Sequence, residues 1–424
     1  MLLVDRRRLL RGAALAGAGL ALPRLTLASG DPLARKFLFI FVRGGWDPAW
    51  ALAPVSSAVV YRDGAAQFES VGGIDFVDHP DHRAVGEFFT SWGDQACLLH
   101  GIEVRSVTHE ACRRIMFTGG SNPVADDWPA RIAGASGGWD LPDLVLSGPA
   151  FSSEYSNAVV RVGPDGQLQK LLGGTALDDS DLPVSAPSEA SEQAVARFLA
   201  SRTATFAGSL QSPTSRRFAD DLQTALDQRE LVRSLADELD LTVDSTGYVS
   251  VARRLRPAVQ AFSRGVSRCA VGTHDGQWDV SWDTHSGIEA QSDHYQVLFE
   301  DLDTLMAELS TTAGPSGGSL LEETTVVVFS EMGRAPRMNA TGGKDHWTYT
   351  SALLLGAGVR GGQSIGAYDE NLFGRSVELA SGEVSDAGVR LSSGHLGATL
   401  IAMAGLDPDA LADGASPILA AMSD

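Results

Sequence analysis

Short apolar runs bounded by charged or glycine positions organise this chain. Lys36-Phe37-Leu38-Phe39-Ile40-Phe41-Val42 and Thr324-Thr325-Val326-Val327-Val328-Phe329 are too short for core helices and rich in β-branched and aromatic residues, so both are predicted as buried strands. Asp94 to His100, Leu144 to Leu146, Ala158 to Val162, Cys269 to Gly272 and Ser351 to Leu355 are further strand candidates. Helical spacing marks Glu110 to Phe117, Ala194 to Phe206, Arg216 to Leu239, Val249 to Ser263, Asp293 to Leu309 and Gly394 to Ala404. Strands alternating with helices predict an α/β sandwich with a mainly parallel sheet. The helix-rich stretch 188–265 is predicted to be an insertion or cover within one domain spanning 31–424.

The two strongest strands end on acids. Arg43-Gly44-Gly45-Trp46-Asp47 follows the first, and Ser330-Glu331-Met332-Gly333-Arg334 follows the other. Open α/β sheets bind ligands at the edge where their strands end. Trp282-Asp283-Thr284-His285 and Lys344-Asp345-His346 add further oxygen and nitrogen ligands. One loop acid is ordinarily a turn or a cap. Four such clusters favour a metal-assisted hydrolytic site instead. Gly44-Gly45 and Gly361-Gly362 lack a nucleotide-binding pattern and are predicted to permit tight turns or close backbone approach.

The chain carries 53 acids against 33 bases, a formal charge of −20. That disfavours nucleic acid and anionic membranes as partners. An anionic ester would need local positive charge from metal ions and arginines. Arg43 and Arg334 flank the predicted edge, and either could fork onto an oxyanion or pair with an acid. Cys97, Cys112 and Cys269 form no disulfide framework or zinc motif and are predicted to be buried thiols. His79 and His82, in a turn-like stretch, are predicted to be structural or substrate-side, Asp293-His294 to cap a helix, and His100 and His274 to be satisfied core histidines.

At the N-terminus, Asp5-Arg6-Arg7-Arg8-Leu9-Leu10-Arg11 and the Ala/Gly-rich stretch Gly12 to Leu22 resemble a twin-arginine export signal, with cleavage after Ala28. The alternative is an uncleaved anchor. Export would make the twin-arginine translocase a partner, place the bacterial protein in the periplasm or outside the cell, and leave a mature chain without a stable membrane span.

Together, Arg43-Gly44-Gly45-Trp46-Asp47, Thr108-His109, Trp282-Asp283-Thr284-His285, Ser330-Glu331-Met332-Gly333-Arg334 and Asp345-His346 resemble the exported bacterial domain-of-unknown-function family 1501. That family is similar to the alkaline phosphatase and sulfatase superfamily. The resemblance implies an α/β/α sandwich with divalent metal, zinc by preference, at the sheet's C-terminal edge. It implies metal ligation by Asp47, Asp283, His285, Glu331 and His346, with His395 a lesser candidate for the last. It implies Thr108 as nucleophile, with Ser106 as rival. Met332 stands where that superfamily has a histidine. A thioether does not suit a hard cation, so Asp345 would substitute, one metal would remain, or catalysis would be lost. The activity implied is hydrolysis of a phosphate or sulfate ester of a small molecule or glycan. The rival is a non-catalytic exported binding protein on the same fold.

Overall fold

The computed structural model describes residues 31–163, 167–168, 188–209, 212–216, 218–223, 226, 239, 250–277 and 280–423. The expected export signal and most of the expected helix Arg216 to Leu239 lie outside them.

Eight strands form the central sheet: β1 (Lys36–Val42), β2 (Ala96–Glu103), β3 (Asp143–Val145), β4 (Val159–Arg161), β5 (Cys269–His274), β6 (Thr324–Ser330), β7 (Tyr349–Gly356) and β8 (Gln363–Ile365). Their order is β8-β2-β7-β6-β1-β5-β3-β4. β1 lies parallel between β5 and β6, with Phe39 opposite Val271 and Val327. β7 runs antiparallel to both its neighbours, β6 and β2. The sheet is therefore mixed, which corrects the mainly parallel expectation. Between β6 and β7 there is no crossover helix. The connection is a loop whose Gly333–Arg334 and His346–Trp347 pair antiparallel. A loop return makes an antiparallel neighbour, whereas a parallel one needs a crossover.

Period-two alternation gives each strand two apolar faces. Phe37, Phe39 and Phe41 pack in one core with helices α2 (His109–Thr118), α3 (Trp128–Ser136) and α6 (Ser393–Met403). Leu38, Ile40 and Val42 pack in the other with α1 (Ala84–Trp92), α4 (Arg256–Ser263) and α5 (Ala290–Thr311). Helices thus cover both faces of an α/β fold. All three cysteines are buried and free.

Local chemistry fixes the helix ends. Asp127 starts α3 by accepting from Ala130 N at 2.9 Å, with proline in the first turn. Gly119, at φ +85°, ends α2. α5 begins at Ala290, so Asp293 lies inside its first turn and is not its cap. In the predicted insertion, a helix spans Glu189–Ser209. Among the described residues, no helix is long and apolar enough to cross a membrane.

Candidate metal centre

β1 and β6 are parallel neighbours, so their C-terminal ends share one edge. Ser330 Oγ donates to Val42 O at 2.7 Å and ties the two ends together. The following loop depends on Gly44, whose φ is +128° and where a Cβ would lie 2.8 Å from Asp283 N. Only glycine combines that backbone with that approach. Gly44 N–H in turn donates to both Glu331 carboxylate oxygens at 3.0 Å.

Arg334 staples three loops. Its Nε donates to Gly45 O at 2.9 Å, and Nη1 to Lys344 O at 3.1 Å. Nη2 reaches Gly44 O, Trp282 O at 3.2 Å and Asp283 Oδ1 at 2.6 Å. The guanidinium is wholly buried and committed to these partners.

On this frame the structure gathers His109, Asp283, His285 and His346. His346 Nε2 lies 3.0 Å from Asp283 Oδ1 and 2.9 Å from His285 Nε2. His285 Nε2 is 3.3 Å from the same Asp283 oxygen. His109 Nε2 approaches Asp283 Oδ2 at 3.2 Å. His109, Asp283 and His346 each offer a ligand atom within 4.8 Å of the others.

The far nitrogen of every ring is also occupied. His346 Nδ1 is 2.7 Å from Val107 O, which can only accept, so that nitrogen carries the proton. His109 Nδ1 is 3.0 Å from Glu331 Oε1, and His285 Nδ1 is 3.4 Å from Asp345 Oδ1. Asp345 is steadied by Asn339 Nδ2 at 3.1 Å. In neutral His346, Nε2 presents a lone pair to a carboxylate oxygen and a second imidazole. Such converging acceptors repel unless protons or a cation stand between them.

Charge balance supports the same picture. Hydrogen bonds that His109 donates to Asp283 and Glu331 raise its pKa to about 9, outweighing its burial. Burial pushes the Asp283 carboxyl up, but His109, His346 and Arg334 together hold it well below the usual carboxylate range.

The donor set fits a divalent cation. Donors ~2.1 Å from a tetrahedral ion lie ~3.4 Å apart; His346, His285 and Asp283 Oδ1 approach that spacing pairwise, and His109 joins through the other Asp283 oxygen. Histidine ligands characteristically give their second N–H to a carboxylate or carbonyl, as all three rings can here. Nitrogen and oxygen donors suit zinc and several other first-row ions alike.

Other predicted site residues lie elsewhere or act indirectly. Asp47 is wholly buried, with Oδ2 2.5 Å from the equally buried Lys344 Nζ. Its Oδ1 caps a short helix through Ala49 N at 3.1 Å. Arg43 Nε pairs with Asp275 Oδ1 at 2.8 Å. Thr108 precedes α2 with an exposed hydroxyl that makes no capping bond; Ser106 Oγ lies 3.5 Å from it. Met332 is a core side chain against Gly45. His395 Nδ1 accepts from Ser392 N at the start of α6.

The other histidines are held structurally. His79 pairs with Asp63 at 3.0 Å, and His82 lies between Ser292 and Val77 O. His100 Nδ1 is 3.0 Å from Ser351 Oγ, and His274 Nδ1 accepts from Trp282 Nε1 at 2.8 Å, while the buried Nε2 of His274 has no partner among the described residues, so that ring is not the fully satisfied core histidine expected. Burial lowers their pKa values to about 4 and about 3.

His109 is the cluster member that the sequence-derived set omits. Its signal was present: a histidine opening a helix shortly after a strand that ends at the same edge.

The family described as "Protein of unknown function (DUF1501)" matches residues 34–416. The chain belongs to that family. Among curated proteins, no relative matches. The match spans the whole DUF1501 scaffold that positions the site, from β1 through α6.

Proposed function

We propose that this DUF1501 protein is a metal-dependent hydrolase of phosphate or sulfate esters, exported by the twin-arginine route. The observation that carries the metal reading is the convergence of His109, Asp283, His285 and His346, with each ring braced from behind. The ester class rests on the motif resemblance. A bound divalent ion would polarise an ester oxygen and lower the pKa of a coordinated water or alcohol.

The chain's own residues do the rest. Asp283 and the three histidines would hold the ion. Glu331 orients His109, Asp345 orients His285 and the Val107 carbonyl orients His346. Arg334 fixes Asp283 and, wholly buried, presents no exposed donor to substrate. Thr108, beside His109 and exposed, is the proposed nucleophile. A second reading is a metal-binding protein without catalysis; Asp47 tied to Lys344 and the buried Arg334 favour it.

Metal content of the purified protein and a panel of phosphate and sulfate esters test the proposal. Bound metal in the wild type, lost in His346→Ala, together with ester turnover, is the expected result. Metal without turnover leaves the binding reading; no metal defeats both. Thr108→Ala should retain metal and lose turnover. Full activity in that variant would move the role to Ser106 or water.

A further inference from the structure

Gln291 sits in the first turn of α5 and is wholly buried. Its amide joins two loops at the sheet edge. Oε1 accepts from Asp47 N at 3.0 Å, in the loop after β1. Nε2 donates to Trp282 O at 3.0 Å and to Thr284 Oγ1 at 3.1 Å, in the loop after β5, and lies 3.4 Å from Gly45 O. A backbone N–H can only donate and a carbonyl can only accept, so these partners fix which end of the amide faces which loop.

The bonds to Trp282 and Thr284 fall on the residues either side of Asp283. Where the Asp283 carboxylate stands among the histidines depends on where its backbone is held. Arg334 reaches that carboxylate directly and also donates to Trp282 O. Arg334 thus grips the acid, and Gln291 grips the chain that carries it. The hold extends toward His346, because Lys344 N donates to Thr284 O at 3.0 Å. On the β1 side, Tyr295 OH, one turn further along α5, donates to Asp47 O at 3.0 Å. That second tie to Asp47 does not touch the residues flanking Asp283.

We propose that Gln291 is a positioning residue of the metal centre, presetting the Asp283 carboxylate against His109, His285 and His346. A ligand already held in place loses less freedom when it binds, so affinity rises. The inference goes beyond the ester chemistry and rests only on the metal part of that reading.

Cobalt(II) titration of the purified full chain, stripped beforehand with a chelator, tests it through affinity and through the visible bands of the bound ion. Those bands report coordination geometry, which a merely structural loss would leave alone. Wild type should bind cobalt. Gln291→Met, similar in volume but without the amide, should bind about 10–100-fold more weakly, as losses of supporting partners do, with shifted bands. Gln291→Asn is one methylene too short to reach both loops; it should show the same loss and decides the question if the Met variant does not fold. Gln291→Glu should recover part of the affinity, since burial favours its neutral acid, which can accept from Asp47 N and donate to Trp282 O. Tyr295→Phe cuts the other tie to Asp47 and should lose stability while keeping wild-type cobalt affinity and bands. Wild-type affinity and bands in Gln291→Met or Gln291→Asn would overturn the role. An equal loss of affinity in Tyr295→Phe would overturn it too, by reducing the effect to general loosening. Failure of the metal reading looks different: the wild type itself would bind no cobalt, and the positioning role would fall with it.

Discussion

Asp47 and Glu331 show how one residue type takes different duties at one edge. Asp47 neutralises a buried ammonium, and removing one partner of such a pair typically costs about 3–5 kcal/mol. Asp47→Asn should therefore lower stability by about that amount in chemical denaturation while metal content stays at wild-type level. Metal loss without destabilisation would return Asp47 to the ligand set. Glu331 instead accepts from Gly44 N and His109. Glu331→Gln should keep the fold but weaken metal affinity by about 10–100-fold, as losses of such supporting partners do. A chelator competition titration reads that shift, and unchanged affinity would remove Glu331 from the site. The acids were legible as a group in the sequence. Their division of labour was not, because it depends on Lys344, almost three hundred residues from Asp47, arriving at the same point.

Among the elements, β3 carries the least comfortable residue. Asp143 is fully buried in this short strand, and neither carboxylate oxygen has a hydrogen-bond partner among the described residues. Burial, with Asp127 nearby, raises its pKa well above the usual range. A carboxyl whose folded pKa is raised stabilises fully below its unfolded value, near 3.9, and that contribution is lost as pH rises through the folded value. While the buried neutral histidines His82, His100 and His274 act in the opposite direction up to their unfolded value of about 6.5, the contribution of Asp143 to stability should therefore fall as pH rises from about 4 toward neutrality. Asp127, raised to about 7 mainly by burial, adds to the same slope. In Asp143→Asn, denaturation midpoints measured across that window should gain on wild type as pH rises; an unchanged difference would place the ionised form of Asp143 comfortably in the fold. Strands and helices with strong apolar periods were readable within a few residues: expected Ser351 to Leu355 is Tyr349–Gly356, and expected Asp293 to Leu309 is Ala290–Thr311. The ribbon Gln67–Val71 with Ile74–Asp78 was not, since its first strand is mostly exposed and lacks an apolar run.

For the whole molecule, a bound ion would join α2 to the loops after β5 and β7's leading ribbon, segments far apart in sequence. A ligand that binds only the folded state adds stability by mass action, about 4 kcal/mol at a thousandfold excess over Kd. Chelation should thus lower the melting temperature of the purified protein by several degrees, and restoring the ion should recover it; no change on either step would count against a folded-state metal. By itself, the sequence determined the α/β class, the strands β1 and β6, the edge at which their acids emerge and the motif set of the family, because these follow from local apolar periodicity and short fixed spacings. The tertiary structure alone decided that β7 runs antiparallel, that Arg334 is a staple and Met332 a core residue, and that His109 completes the cluster in place of Asp47. Those outcomes depend on which side chains meet across hundreds of residues, where burial and charge pairing select one partner from several chemically adequate ones.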